Sequence, residues 1–401
     1  MIRTSKLSTK LLNQHKQIKL NKFIEEYKKV VQYYVDSLWS NLSNTYEIPK
    51  FVSTKSYTNS PLSQRAIKCA STQACGIVRA STEKARKLVW VINQLKEKGE
   101  DANYLELKLS KLKVEKPSLP KHFKCELNSI CCDIKVRDGI WFLQLKSIGK
   151  EFGKVRIPLK PHRQTLKWMK GELLNSFLIS NQFVDLRFEL KNELKKRGTV
   201  VGLDQGITTC VSLSDGQVTQ ANQHGWDLTK ILQKLSRKKK GSKGFKRAQD
   251  HRKNYINWSI NQLNFSNIKQ LNVEKLRDVR RGKTSNRFLS HWTYTLILDK
   301  LKRRCEEQKV FVKEQSCVYR SQRCSACGLV RKSQRKGKIY SCECGYVEDS
   351  DINASLNHEV DLPSVDSLRH LRLNVKGFYW LPEGIFDLSG NEFTVRSTVK
   401  R

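Results

Sequence analysis

The chain of 401 residues has no run approaching the roughly 18 consecutive apolar residues that a membrane-spanning helix needs, which excludes an integral helical membrane protein. Its first stretch, MIRTSKLSTKLLNQHK, lacks the apolar core of a secretory signal. The expected compartment is therefore the reducing, nucleoid-containing cytoplasm of a prokaryote, with no membrane partner. Acid is scarce: 38 Asp and Glu stand against 76 Lys and Arg, for a formal net charge of +38. An excess of that size repels itself and calls for a polyanion, which makes nucleic acid the natural partner. No internal repeat, low-complexity tract or zinc-finger array is present. A hydrophobic share of 38% and an aromatic share of 9% exclude a disordered chain. The length leaves room for two or three domains with sizeable cores.

In a reducing compartment, 12 cysteines do not make a disulfide framework. Cys69, Cys75, Cys125, Cys131, Cys132, Cys210 and Cys305 sit in apolar surroundings and read as small core residues. Cys324, Cys327, Cys342 and Cys344 stand apart by their spacing.

Along the chain, Asn21 is the expected cap of a helix in which Phe23, Tyr27, Val30, Tyr34 and Leu38 recur at helical spacing. A polar loop from Ser53 to Ser63 follows. Next comes a long Ala-rich helix with Ile67, Ala70, Ala74, Val78, Leu88, Ile92 and Leu95 on one face, ended by Gly99, and a shorter helix over Tyr104 to Leu112. From Phe123 the pattern turns to strands. CELNSICCDIKV and IWFLQLKS flank Asp138-Gly139, a dipeptide suited to the positive φ of a tight hairpin turn. GKVRIPLK and SFLISNQFVDLRFEL add further strands, so that an antiparallel barrel or sandwich ends near Lys196.

At Arg197-Gly198 a second pattern begins. TVVGLDQGITTCVSLSDGQVTQ predicts a buried strand into Asp204, a turn at Gly206, a second strand, an Asp215-Gly216 turn and a third strand. The basic SRKKKGSKGFKRAQDHRK leads into a helix with Tyr255, Trp258 and Leu263, and NIKQLNVEKL predicts a strand that delivers Glu274. A helix from about Phe288 to Glu307 follows, then the cysteines, then the helix start DSDINASLNHE carrying Asp351. The residues from about Asp361 carry no legible motif.

Three strands, a helix, a strand and a helix, with acids at the strand ends and at the last helix start, is the order of an RNase H-like nuclease core. Hydrolysis of a phosphodiester with two Mg²⁺ ions needs hard oxygen ligands, which Asp204, Glu274 and Asp351 supply. A lone Asp at a strand end is ordinarily a turn residue. The ordered set of three carries the reading. SQRCSACGLV and YSCECGYV give Cys324-x-x-Cys327-Gly and Cys342-x-Cys344-Gly, a zinc-ribbon pattern for one structural Zn²⁺. The second pair is one residue tighter than usual, so Cys317 and His358 stay open as substitute ligands. RKSQRKGK between the pairs points to contact with nucleic acid.

VGLDQGITTCVSLSDG, VEKLRDVR, SQRCSACG with CECG, and DSDINAS together resemble the TnpB family of insertion-sequence proteins, and equally the miniature type V CRISPR effectors related to them. The resemblance covers about residues 200 to 357. It implies an α/β multidomain protein: an RNase H-like RuvC nuclease core with an inserted zinc ribbon, an N-terminal helical recognition lobe and an antiparallel β-barrel wedge. The implied bounds are 1–20 for the first part of the wedge, 21–115 for the helical lobe and 116–197 for the rest of the barrel. The nuclease core would occupy 198–317 and 348–365, the zinc-bearing target-nucleic-acid-binding element 318–347, and a tail 366–401. Asp204, Glu274 and Asp351 match the family's RuvC acids, Asp351 rather than Asp349 because it directly precedes Ile352-Asn353-Ala354. The implied partners are a guide RNA and a target DNA bearing a short flanking motif, with base pairing reading the sequence. A monomer is the expected state. A nuclease-inactive RNA-guided repressor, a DNA-strand-transferring transposase and a non-enzymatic zinc-ribbon protein stay open as alternatives.

Overall fold

The computed structural model describes residues 1–55, 57, 60–276 and 287–393. The end of the VEKLRDVR motif therefore lies outside the described residues. The chain forms two compact units, Met1–Lys191 and Asn192–Arg401. Among the described residues no helix is long and apolar enough to cross a membrane.

The first unit opens with strand β1 (Ile2–Ser8) and helix α1 (Gln14–Ser40). The helix begins a full turn and more before the expected cap. Asn13, not Asn21, accepts from the Lys16 N–H and ends the extended backbone there, while Asn21 lies inside the helix and accepts from Gln17. Ser63 caps α2 (Gln64–Glu97), and α3 (Asn103–Ser110) follows. The strands are β2 (Cys125–Asn128), β3 (Cys132–Arg137), β4 (Ile140–Leu145) and β5 (Val155–Leu159). A short helix α4 (Arg163–Trp168), not expected from the sequence, precedes β6 (Glu172–Ile179) and β7 (Phe183–Glu189).

Both positions of the Asp138-Gly139 turn have positive φ, at 48° and 72°, as the hairpin requires. CELNSICCDIKV, read as one strand, breaks at Asn128, whose side chain accepts from the Ile130 and Cys131 N–H groups and turns the chain. The halves join different sheets, ordered β1-β7-β6-β2 and β3-β4-β5. Neither sheet closes, so the expected barrel is a pair of open antiparallel sheets. One apolar core takes in Phe23 and Tyr27 of α1, Ile67 and Val78 of α2, and the inner faces of both sheets.

The second unit is built on β8 (Thr199–Asp204), β10 (Ile268–Glu274) and β11 (Phe311–Gln315), which run parallel, with the two-residue β9 (Ser212–Leu213) antiparallel at the edge; the order is β11-β10-β8-β9. The expected third strand shrinks to a single bridge between Ser212 and Val218. Between β9 and β10 lie two helices where one was expected, α5 (Leu228–Ser236), capped by Asp227, and α6 (Lys243–Gln262). The expected helix from Phe288 is broken into α7 (Arg287–Ser290) and α8 (Tyr294–Glu307), and Trp292 falls in the break. The cysteine region folds into β12 (Leu329–Val330) and the hairpin strands β13 (Arg335–Lys336), β14 (Ile339–Ser341) and β15 (Val347–Asp349). Helix α9 (Ser350–Glu359) follows directly. The tail, in which the sequence carries no legible motif, forms β16 (Phe378–Leu381) and β17 (Gly384–Phe386), and these pair with β12 in a second small sheet.

Candidate active site and zinc knuckle

Parallel pairing decides where the acids meet. Leu203 on β8 lies opposite Val273 on β10, so the next residues, Asp204 and Glu274, leave the same edge of the sheet side by side. The backbone N–H of Gln205 donates to Glu274 Oε1 at 2.9 Å. Asp351 comes from the first turn of α9, which packs across the same face. It can do so because residue 202 is glycine: a Cβ there would stand 2.0 Å from the Ser355 carbonyl oxygen and 2.4 Å from the Glu359 nitrogen. Asp349 is the cap of α9, accepting from the Asp351 N–H at 2.8 Å.

The three carboxylates line one cleft of about 480 Å³ together with Gln205, Arg335 and Lys338. Burial, and then the charge of Asp351, pushes Asp204 up to about 7. Burial and the neighbouring Asp204 push Glu274 well above the usual carboxylate range. Two cations offset this on one side only: Lys338 is ion-paired with Asp351 and also donates to Thr209 Oγ1 at 3.1 Å, and Arg335 lies 3.5 Å from Asp351. On the other side the polar groups are orphaned. The side-chain amides of Gln205 and of Gln315, the register partner of Glu274, are buried without hydrogen-bond partners, as is Nδ1 of His358. Crowded acids edged by unpaired polar atoms fit divalent cations, whose charge would stabilise the ionised carboxylates.

The four cysteines come together as well. Sγ of Cys324 is 3.8 Å from that of Cys344, and Sγ of Cys327 is 3.6 Å from that of Cys342. A tetrahedral zinc with bonds of about 2.3 Å sets its sulfurs about 3.8 Å apart, so the cluster fits a Cys₄ zinc despite the tighter second pair. Gly328 and Gly345, at φ of 80° and 90°, turn the chain behind each pair. Gln334 donates to Cys342 Sγ at 3.2 Å and accepts from the Tyr340 hydroxyl at 2.7 Å, tying the hairpin to the sulfurs. The two substitutes left open by the sequence lie elsewhere: Cys317 beside the Lys275 carbonyl at 3.9 Å, His358 beside the acids.

Arg335 and Lys338 were legible only as part of a basic loop. Their role in the cleft comes from the turn at Gly337, φ 62°, which folds RKSQRKGK into a hairpin directed at Asp351. A glycine amid basic residues between two cysteine pairs was the available signal. The sequence marks His358 only as a substitute zinc ligand and gives no sign of its place beside the acids. Its imidazole is held neutral, pushed down to about 3 by burial and then by Arg320.

Residues 294–358 match the family model described as Cas12f1-like, TNB domain. The chain is similar to the CRISPR-associated endodeoxyribonuclease Cas12f1 of Sulfoacidibacillus thermotolerans, at 30% identity over 126 residues, which is 31% of this chain and 28% of that protein. It is similar at 30% identity over 181 residues to a Streptomyces pristinaespiralis protein named as an RNA-guided DNA endonuclease, covering 39% of this chain and 44% of the other. Each match thus spans less than half the length of the relative. A cryo-EM structure of a Cas12f1-sgRNA-target DNA complex superposes with a TM-score of 0.48 at 13% identity, covering 88% of this chain and 83% of that one. The family model and the two named relatives point to the same group of proteins as the motifs.

Proposed function

We propose that this chain is an RNA-guided DNA endonuclease that cleaves target DNA complementary to a bound guide RNA, next to a short flanking motif, in a RuvC-type site. The observation that carries the reading is the convergence of Asp204, Glu274 and Asp351 from two parallel strands and a helix, in one cleft that a zinc-type knuckle edges with cations. Relatives named for this activity support it.

Asp204, Glu274 and Asp351 would hold two Mg²⁺ ions, which when bound supply an activated water and charge stabilisation at the leaving oxygen. Asp204, between the other two acids, is the ligand suited to sharing. Gln205 orients Glu274 through its backbone N–H. Lys338 and Arg335 would hold the scissile phosphate, since a phosphate oxygen can take the place that Asp351 now fills on them. Cys324, Cys327, Cys342 and Cys344 would hold one Zn²⁺ and so keep the hairpin that carries both cations in register. The net charge of +38 would be relieved by the backbones of a guide RNA and its heteroduplex. The working unit in this reading is a cytoplasmic monomer.

Purification at moderate salt followed by sequencing of bound RNA, then cleavage of a DNA matched to that RNA, tests the proposal. One structured RNA with a variable end, and cutting that depends on the match, is the expected result. An RNA-free preparation that cuts DNA equally well would overturn the guided reading.

A further inference from the structure

Behind the cleft, a buried group stands next to two of the acids. His358 lies two turns along α9 from Asp351, is 1% exposed, and its Nδ1 has no hydrogen-bond partner. The close approach of α9 at Gly202 seats it above the strand ends. A ring nitrogen of His358, a carboxylate oxygen of Asp204 and one of Glu274 all lie within 4.8 Å of one another. Around an octahedral ion with bonds of about 2.1 Å, adjacent ligand atoms stand about 3.0 Å apart and opposite ones about 4.2 Å. One ion therefore spans these three groups with small adjustments. Asp351 is not of this set, being engaged by Lys338 and Arg335.

We infer that the innermost metal position of the cleft is a mixed nitrogen–oxygen site formed by Asp204, Glu274 and His358, and that it takes Mn²⁺ or a similar first-row dication in preference to Mg²⁺. The role of that ion in cutting rests on the nuclease reading; its ligand set does not. Carboxylate and water suit Mg²⁺ and Mn²⁺ alike, whereas an imidazole shifts preference toward the transition ion. Asp204 and Asp351 then frame the outer, all-oxygen position. The two positions would differ in metal preference although they share a ligand. The orphaned amides of Gln205, next to Asp204 in the chain, and Gln315, the register partner of Glu274, are the unpartnered polar groups available to waters on that ion.

Pulsed electron paramagnetic resonance of the full chain titrated with MnCl₂ tests this directly. The expected spectrum has a nitrogen coupling from one directly bound imidazole, and growth with ¹⁵N-histidine converts it to the ¹⁵N pattern. His358→Asn should erase the coupling and weaken that Mn²⁺ by at least about tenfold, the scale of losing a supporting group at a metal site, with Mg²⁺ affinity changed far less. Glu274→Gln should erase it too, which keeps the test available if His358→Asn does not fold. Mn²⁺ held at the acids with oxygen couplings alone would overturn the inference and leave the nuclease reading standing. Failure of any dication to bind at the acids would overturn both.

Discussion

Asn353 grips Arg323. Its amide nitrogen donates to the Arg323 carbonyl at 2.8 Å, and its amide oxygen accepts from the neighbouring Ser325 N–H at 3.0 Å. Asn357, one turn further on α9, donates to the same carbonyl at 2.7 Å and accepts from the Arg323 guanidinium at 2.5 Å. The helix that carries Asp351 is thus bolted to the segment that carries the first cysteine pair. Asn353→Ala leaves the half-buried Ser325 N–H unpaired, at a cost of up to about 1–3 kcal/mol. The melting temperature should fall by about 2–4 °C per kcal/mol for a unit of this size, with zinc retained. Calorimetry together with metal analysis checks both halves, and an unchanged midpoint would show that the bolt carries no load.

Asp204→Ala removes the acid that stands between the other two. Metal-assisted charge stabilisation is worth several kcal/mol, and each 1.4 kcal/mol is a factor of ten, so guided cleavage should drop at least about a thousandfold. Target binding should change by less than about tenfold, because pairing and backbone contacts supply that energy. Asp349→Ala, two residues from Asp351, is a poor control because it strips the cap of α9. Asp215→Ala, in an exposed turn, is the better one. Gel shifts and cleavage rates compared across the variants decide; near-parental cutting by Asp204→Ala would remove the catalytic assignment.

Cys324→Ser should abolish a stoichiometry of one zinc per chain. A serine oxygen cannot replace the sulfur that lies 3.8 Å from Cys344. Without the shared metal, Cys342 and the Gln334 that donates to it are no longer fixed to the first cysteine pair, so Lys338 and Arg335 should leave the cleft and cleavage should fall even though every acid is present. Elemental analysis reads the first effect and turnover the second. Zinc retained in this variant would sink the ligand assignment.

Gly202→Ala places a methyl 2.0 Å from the Ser355 carbonyl oxygen, a backbone atom that cannot turn aside. Helix α9 must shift, carrying Asp351 and His358 away from Asp204 and Glu274. Activity should collapse and stability should fall by an amount typical of overpacking, about 1–3 kcal/mol or more. Denaturant midpoints and cleavage rates measured on one preparation suffice, and a variant with parental values for both would contradict the packing described.

In protein freed of divalent ions at the acids, stability should decline as pH rises from about 4 to about 7. Asp204 has an ordinary value of 3.8 and is pushed up to about 7 in the fold, so across that window the folded chain holds a proton that the unfolded chain has released. Raising the pH therefore favours unfolding. Mg²⁺ should displace the proton and flatten the slope, and Asp204→Asn should reduce it without metal, Glu274 keeping its own share. Urea midpoints across the window, with and without MgCl₂, are the measurement; a slope identical in Asp204→Asn would assign it to other groups.

What was legible in the sequence was whatever a short window can encode. VVGLD and IKQLNVE show buried strands ending in acids, the glycine-backed cysteine pairs show their spacing, and DSDINAS shows a capped helix start. The losses have physical causes. Leu228, Ile231, Leu232 and Leu235 do repeat at helical spacing on α5, but basic neighbours hid them. Strand β12 has two residues, and its partner β16 lies almost fifty residues on, so no local pattern announces their pairing. His358 gained meaning only when the packing at Gly202 set it over the strand ends.

That distant pairing also fixes an order of events at the ribosome. Val330 finds its partner only when Phe378 has been made, and Arg323 donates to the Trp380 carbonyl at 2.7 Å. A message broken before codon 378 would yield a polypeptide with all three acids and all four cysteines but no strand to seat the knuckle. The seat of the cysteine knuckle is thus completed from the far end of the chain, by strand order and not by any local signal.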